Sequence, residues 1–368
     1  MIPWAKENRE IPRTHTSRLT VQQFLADYVH KNVPVIIEGS LEELDCRKWS
    51  LNFLKDKIGA CPVQCRGKTD LESYRKGIKY CIHETTVGEY IADLQNGHKR
   101  STSRYLAAQN IKRAFPQIGD ASFVPKFISD NKIHAGPFLW IARNGHYEYT
   151  HVDPDEGCLM ILEGEKSVRL ISNVHWDVLE PNALGSLGRT VQSSVDLENP
   201  TPSQKEALKM VNCHFGKIRP GDVLYIPALW WHQVSALSNG VSINIFWGEV
   251  GESKFMKKIL EEPTLTAFKY WMLNVVEQNK AHVSWPRILS RLEEVLKNFF
   301  LKQWHETAST EQIELIKKFI MTHLNISELP PLENNPPKHP PTMKIRGLLH
   351  RDRGQGKTSL QCNTSFSC

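Results

Sequence analysis

Between residues 134 and 247 the sequence carries strand-like runs at close intervals: FLWIAR, GCLMILEG, EKSVRLIS, DVLYIP, HQVSAL and GVSINIFW. Turn residues separate them, and no long helical pattern intervenes. Short strands in that arrangement predict an antiparallel sandwich or barrel. A longer insert at 173–217 holds Pro181, Gly185, Gly188, Pro200 and Pro202. It reads as a loop with little regular structure.

The flanks have other textures. In the first hundred residues helices alternate with short strands. Thr20 and Gln23 make a capping box before Phe24, Leu25, Tyr28 and Val29. PVIIEG at 34–39 is a β-branched strand ended by Gly39. Ser50 opens a helix closed by Gly59, and Thr86 opens another closed by Gly97. After 252 the pattern turns helical: Ile288, Leu289, Leu292, Val295, Leu296, Phe299 and Phe300 form a wide apolar stripe. A second capping box, Ser309 with Gln312, precedes IELIKKFIMTHL. From about 326 the chain is rich in Pro, then basic with Gly and Ser, and reads as a disordered tail.

With 40% hydrophobic and 23% charged residues, the 368-residue chain can bury a sizeable core. Its formal charge of +6 fits an ordinary soluble protein, or a surface for an acidic partner such as RNA. MIPWAKENREIPR has no apolar run, so no secretory signal is expected. No stretch approaches the roughly 18–20 apolar residues of a membrane span. The eight cysteines are scattered, and only Cys61 and Cys65 lie close together in the folded part. They read as reduced thiols of an intracellular protein, cytoplasmic or nuclear.

His-x-Asp on a strand puts an imidazole and a carboxylate on one face. Two His and one carboxylate make the facial triad of non-haem Fe(II) oxygenases. The pattern is cheap: with 15 His, about one copy arises by chance, and three occur. His350-Arg-Asp352 lies in the tail, with no sheet to hold it. His175-Trp-Asp177 follows the strand SVRLIS, where the chain enters the insert, and no inward Lys follows it. His151-Val-Asp153 has the better context. In HQVSA, His232 shares the parity of Val234 and Ala236, so it points inward unless it is merely a satisfied core histidine. In KSVRLI, Lys166 shares the parity of Val168 and Leu170. Burying these polar groups without partners would cost several kcal/mol each, by order of magnitude. A cation plus an acidic ligand satisfies all of them. A dicarboxylate could chelate the metal at one end and pair with Lys166 at the other. The alternative is a Lys that snorkels to the rim or pairs with Glu163 or Glu165.

HVD at 151–153, Lys166 after GE, GDVLYIPALWWH ending at His232 and NIFW at 244–247 together resemble one family. It is the JmjC branch of Fe(II)/2-oxoglutarate oxygenases. The likeness runs from about 20 to 250 and is strongest to the small hydroxylases of that branch, among them an asparaginyl and a tRNA wybutosine hydroxylase. It implies a mainly β core with α elements. The double-stranded β-helix (cupin, or JmjC jelly roll) would occupy 134–250. An N-terminal α/β part of the catalytic domain would fill 1–133. C-terminal helices, through which such hydroxylases form homodimers, would fill 251–325, and the tail 326–368. The resemblance implies Fe(II) held by His151, Asp153 and His232. It implies 2-oxoglutarate with its far carboxylate on Lys166 and on Tyr105 of YLAAQN, and with Asn244 nearby. O2 would be the second co-substrate and ascorbate the expected reductant. The sequence also departs from the pattern: Gly157 stands where both named hydroxylases carry Asn, and the intervening PDEG is acidic.

Three functions are expected to compete. A protein hydroxylase comes first. A tRNA hydroxylase is the alternative, with Lys99, Arg100, Arg104, Lys112 and Arg113 as an RNA surface rather than a solvated helix face. A cupin-like binding protein without turnover is the third. No reader or zinc module is visible, which favours hydroxylation over demethylation.

Overall fold

A computed structural model gives the fold. It describes residues 1–67, 81–98, 103–129, 133–153, 155–172, 175, 178–187 and 190–247, with isolated positions at 310, 314, 318, 321 and 327. The helices expected at 251–325 and the tail after 326 lie outside the described residues, those positions apart. So do Asp177, Lys99, Arg100, His350 and Asp352.

The strands are β1 (Glu7–Glu10), β2 (Arg13–His15), β3 (Val35–Glu38), β4 (Pro62–Gly67), β5 (Ile82–Thr86), β6 (Arg104–Asn110), β7 (Ile133–Ala142) and β8 (His151–Val152). They continue with β9 (Glu156–Glu163), β10 (Lys166–Ile171), β11 (Pro181–Leu187), β12 (Thr190–Ser193), β13 (Asn212–Ile218), β14 (Val223–Ile226), β15 (Trp231–Ala236) and β16 (Gly240–Trp247). They form two sheets. One has seven strands in the order β1-β13-β10-β15-β8-β12-β11. The other has nine, β2-β3-β14-β9-β16-β7-β6-β4-β5. From β7 onward the chain passes back and forth between the sheets. Strands β7, β9, β14 and β16 lie in the larger sheet, and β8, β10, β13 and β15 in the smaller. This antiparallel winding is a double-stranded β-helix, a jelly roll in the cupin manner.

Burial explains why the strands read differently in sequence. GCLMIL is almost continuously apolar because β9 is buried on both faces. Leu159 and Ile161 face the other sheet, in a cluster with Val168, Leu170, Ile218 and Leu224. Cys158, Met160 and Leu162 face the N-terminal helices, in a cluster with Leu54, Tyr90 and Ile91. Strand β10 alternates, because Ser167 and Arg169 are only half-buried.

The predicted helix starts form as read. Thr20 and Gln23 cap each other reciprocally at the helix opening at Val21. That helix ends on wider turns, with the His30 N–H donating to the Leu25 carbonyl. Ser50 caps the Leu51–Ile58 helix and Thr86 caps Val87–Gln95. Among the described residues no helix is long and apolar enough to cross a membrane.

The insert corrects the sequence reading. Residues 173–217 are not an irregular loop: they hold β11, β12, the helix Pro202–Leu208 and most of β13. Thr201 and Gln204 form a capping box with Pro202 in the first turn, a signal the Pro-rich composition masked. The outer face of β10 and β15 is also drier than alternation predicts. Gln233 is buried and accepts from Arg169, whose guanidinium also reaches Glu198 and the Met1 carbonyl.

One corner fixes where β10 begins. Gly164 has φ +78°, and a Cβ there would lie 2.4 Å from the Asn239 carbonyl oxygen. Across the same contact a Cβ on Gly240 would lie 2.3 Å from the Glu163 oxygen. Gly164→Ala is therefore expected to cost about 1–3 kcal/mol. Denaturant unfolding checks this; an unmoved midpoint would show that the corner yields.

Candidate metal centre

The jelly roll sets β8 beside β15, with His151 directly opposite His232 in the antiparallel register. Their ring centroids are 4.2 Å apart. Asp153 follows β8 at once, and its backbone carbonyl accepts from the Leu229 N–H at 2.8 Å. One donor atom each from His151, Asp153 and His232 lies within 4.8 Å of the others. Both imidazoles are oriented alike. His151 Nδ1 is 2.8 Å from the Tyr149 carbonyl and His232 Nδ1 is 2.9 Å from the Trp230 carbonyl. A carbonyl only accepts, so each Nδ1 carries the proton and each Nε2 offers a lone pair. Burial, helped by the neighbouring His151 and opposed by Asp153, holds His232 well below the usual imidazole range. Its ring is neutral near pH 7, as a ligand must be. Two imidazole nitrogens and one carboxylate oxygen, converging on one side, fit a divalent ion such as Fe(II) with positions left open.

Lys166 does point inward, 6% exposed, and its Nζ donates to Ser242 Oγ at 2.6 Å. Burial drives its pKa down to about 8, against the raising field of Glu148. Neither neighbouring glutamate takes its charge through a hydrogen bond. Glu163 accepts from the Leu51 N–H at the start of a helix, and Glu165 lies exposed at the turn.

All six residues singled out in the sequence line one cavity of about 340 Å³: His151, Asp153, His232, Lys166, Tyr105 and Asn244. Tyr105 is buried and packs against the His146 ring, tilted by 31° with 3.9 Å between centroids. Asn244 Oδ1 accepts from Trp140 Nε1 at 2.6 Å. Gly157 lines the same wall. A Cβ there would make ordinary contact with Phe246 at 3.5 Å, so glycine widens the cavity rather than relieving a clash. The acids of PDEG are tied into the fold. Asp155 sits 3.1 Å from His134, and Glu156 accepts from the Tyr225 hydroxyl and the Ala228 N–H. The decoy His175 does not line this cavity.

Sequence reasoning missed Ser242, Glu148 and Arg66, which also belong to the site or its rim. Ser242 has the parity of Asn244 in GVSINIFW and could have been found that way. Glu148 stands in the segment before His151, and Arg66 comes from β4 with no local signal.

A jelly roll with a two-His, one-carboxylate cluster and a buried lysine defines a cupin-type chain whose cluster could hold a metal ion. The profile of the cupin-like domain family matches residues 21–253, and the chain belongs to that family, in its JmjC branch. It is 26% identical over 257 residues to lysine-specific demethylase 8 of Xenopus tropicalis, covering 67% of this chain and 55% of the relative. It is 28% identical over 244 residues to JmjC domain-containing protein D of Dictyostelium discoideum, covering 61% and 53%. It is 30% identical over 255 residues to tRNA wybutosine-synthesizing protein 5 of Homo sapiens, covering 65% and 78%. The chain thus spans about half the length of the first two relatives.

Proposed function

We propose that this chain is an Fe(II)- and 2-oxoglutarate-dependent oxygenase that hydroxylates a macromolecular substrate, in the first reading a protein side chain. One observation carries the proposal: the metal-ligand cluster and a buried lysine share one cavity. His151, Asp153 and His232 would hold the iron. Lys166, with Tyr105 beside it, would bind the far carboxylate of 2-oxoglutarate, and Asn244 would line the near end. Iron, when bound, supplies oxygen activation coupled to decarboxylation of the 2-oxo acid. The protein's own part is orientation and exclusion of water, for which Trp140, Phe138 and Phe246 line the walls. A cavity of about 340 Å³ is at the small end for ligand sites, so a macromolecule would present one side chain or base to it.

The demethylase names among the relatives favour a protein substrate. Hydroxylation of an N-methyl carbon gives a product that loses formaldehyde, so demethylation is the same reaction at another carbon. A tRNA substrate is the second reading. It is favoured by the 30% identity to a wybutosine-synthesizing protein across 78% of its length. Exposed Lys112 and Arg113, with half-buried Arg104, would then dock the RNA. Succinate release with Fe(II), 2-oxoglutarate and ascorbate tests both. A cell extract is split into a protein-depleted RNA fraction and an RNase-treated protein fraction. Stimulation by protein alone supports the first reading, and by RNA alone the second. No stimulation over the His232→Ala variant would leave a cupin-like binding protein without turnover.

The lysine also sets a pH limit. Lys166 binds an anion only while protonated, and in the unliganded protein it releases its proton at about 8. Affinity for 2-oxoglutarate is expected to fall above that pH, by up to about tenfold per unit. Calorimetric titration with Mn(II) in place of iron reads this. Affinity that stays flat to pH 9.5 (about 1.5 units higher) would remove Lys166 from the binding step.

A further inference from the structure

The cavity that holds Lys166 also holds a carboxylate. Glu148 lines it, and its backbone N–H donates to the Val234 carbonyl at 3.2 Å. Two residues earlier, the His146 carbonyl accepts from the Ala236 N–H at 2.7 Å. The segment is therefore pinned to β15, and Glu148 cannot leave with its loop. Burial would push its carboxyl up. His146, with Nε2 3.7 Å from Glu148 Oε1, and Arg66 on the same oxygen outweigh that and hold it at about 2, so it is ionised. Its field reaches Lys166.

An ionised carboxylate there works against an anionic co-substrate. It competes for the lysine and repels the incoming carboxylate. A further cation is needed nearby, and Arg66 supplies a permanent one, on the carboxylate oxygen that the His146 imidazole also approaches, at 3.7 Å. Its Nη1 lies 3.8 Å from Glu148 Oε1, and its guanidinium lies over the Trp140 ring, 5.9 Å from the centroid. The backbone of Arg66 is set by β4 pairing on β6, directly opposite Tyr105. With Arg66 and Lys166 positive and Glu148 negative, one net positive charge remains for a far carboxylate.

We propose that Arg66 is a positioning residue for co-substrate binding: it holds Glu148 as a counter-ion, which leaves Lys166 to pair with the far carboxylate of 2-oxoglutarate. The proposal rests on the co-substrate reading above. It predicts an affinity pattern that a merely structural arginine would not give.

The test is calorimetric titration of 2-oxoglutarate into Mn(II)-loaded protein, with Mn(II) affinity measured separately by electron paramagnetic resonance. Arg66→Met is expected to weaken 2-oxoglutarate about tenfold, the effect of losing one positive charge at an effective dielectric near 20. Its Mn(II) affinity should not move. Arg66→Lys should stay close to the parent. Glu148→Gln should bind at least as tightly as the parent, and the Arg66→Met/Glu148→Gln double variant should regain what the single one lost. Parent-like affinity in Arg66→Met, or a double variant as weak as the single, would overturn the proposal. Should Arg66→Met not fold, Glu148→Gln decides alone: a tenfold loss there would make Glu148 a ligand contact and sink the idea. A parent protein that binds Mn(II) but no 2-oxoglutarate would fail at an earlier point, in the co-substrate reading itself.

Discussion

Replacing His232 by Ala is expected to abolish the succinate formation proposed above, with a loss on the order of a thousandfold or more, and to leave the fold intact. The ring is one of the three candidate ligand groups that meet within 4.8 Å, so its loss leaves one nitrogen and one carboxylate. Two donors do not fix a metal in an open facial geometry, and the expected drop exceeds the roughly 10–100-fold typical of an outer-shell change. Structure should suffer far less. His232 is 5% exposed but sits on a short strand beside the cavity, and its Nδ1 donates to the Trp230 carbonyl. Truncation should cost about 1–2 kcal/mol. The measurement is Mn(II) or Co(II) affinity alongside turnover, with His175→Ala as the control. If His232→Ala keeps parental metal affinity, the centre does not lie at this cluster. If His175→Ala loses it, the other His-x-Asp pair is the true one.

Lys166→Met separates function from stability in opposite directions. Binding of 2-oxoglutarate should weaken at least about a hundredfold, because a buried carboxylate would be left without its cation. The unliganded fold should become more stable. Burial depresses the lysine from 10.5 to about 8, so the folded state disfavours the charge. Below about pH 8 both folded and unfolded chains carry the proton, and the cost is fully present, at about 2–3 kcal/mol. Between about 8 and 10.5 the unfolded chain keeps a proton that the folded one has released, so parental stability rises with pH. Methionine fills the same space without the charge and leaves only Ser242 Oγ short of a donor, at about 1 kcal/mol. The net gain expected at pH 7 is about 1–2 kcal/mol, shrinking as pH rises. Thermal unfolding across pH, set beside co-substrate titration, reads both halves. A variant that binds 2-oxoglutarate like the parent would return Lys166 to a structural role.

What the sequence by itself determined was local and periodic. Alternation along KSVRLI and HQVSA placed Lys166 and His232 on the inward face, because a strand turns successive side chains to opposite sides whatever it pairs with. Thr20, Ser50 and Thr86 announced their helices, because a cap is satisfied within one turn. His151-Val-Asp153 stood out from two other copies only through its neighbours. The tertiary structure decided everything that depends on which strands meet. It set His151 opposite His232, some eighty residues later in the chain. It turned both Nδ1 atoms to backbone carbonyls, so that both Nε2 atoms face the same space. It hid Gln233 under Arg169, and it ordered an insert whose prolines had suggested a loop. It brought Arg66 to Glu148 and Ser242 to Lys166 across gaps that no period spans. Strand pairing depends on how two sheets bury their shared core, and that energy belongs to the assembled jelly roll rather than to any short stretch of chain.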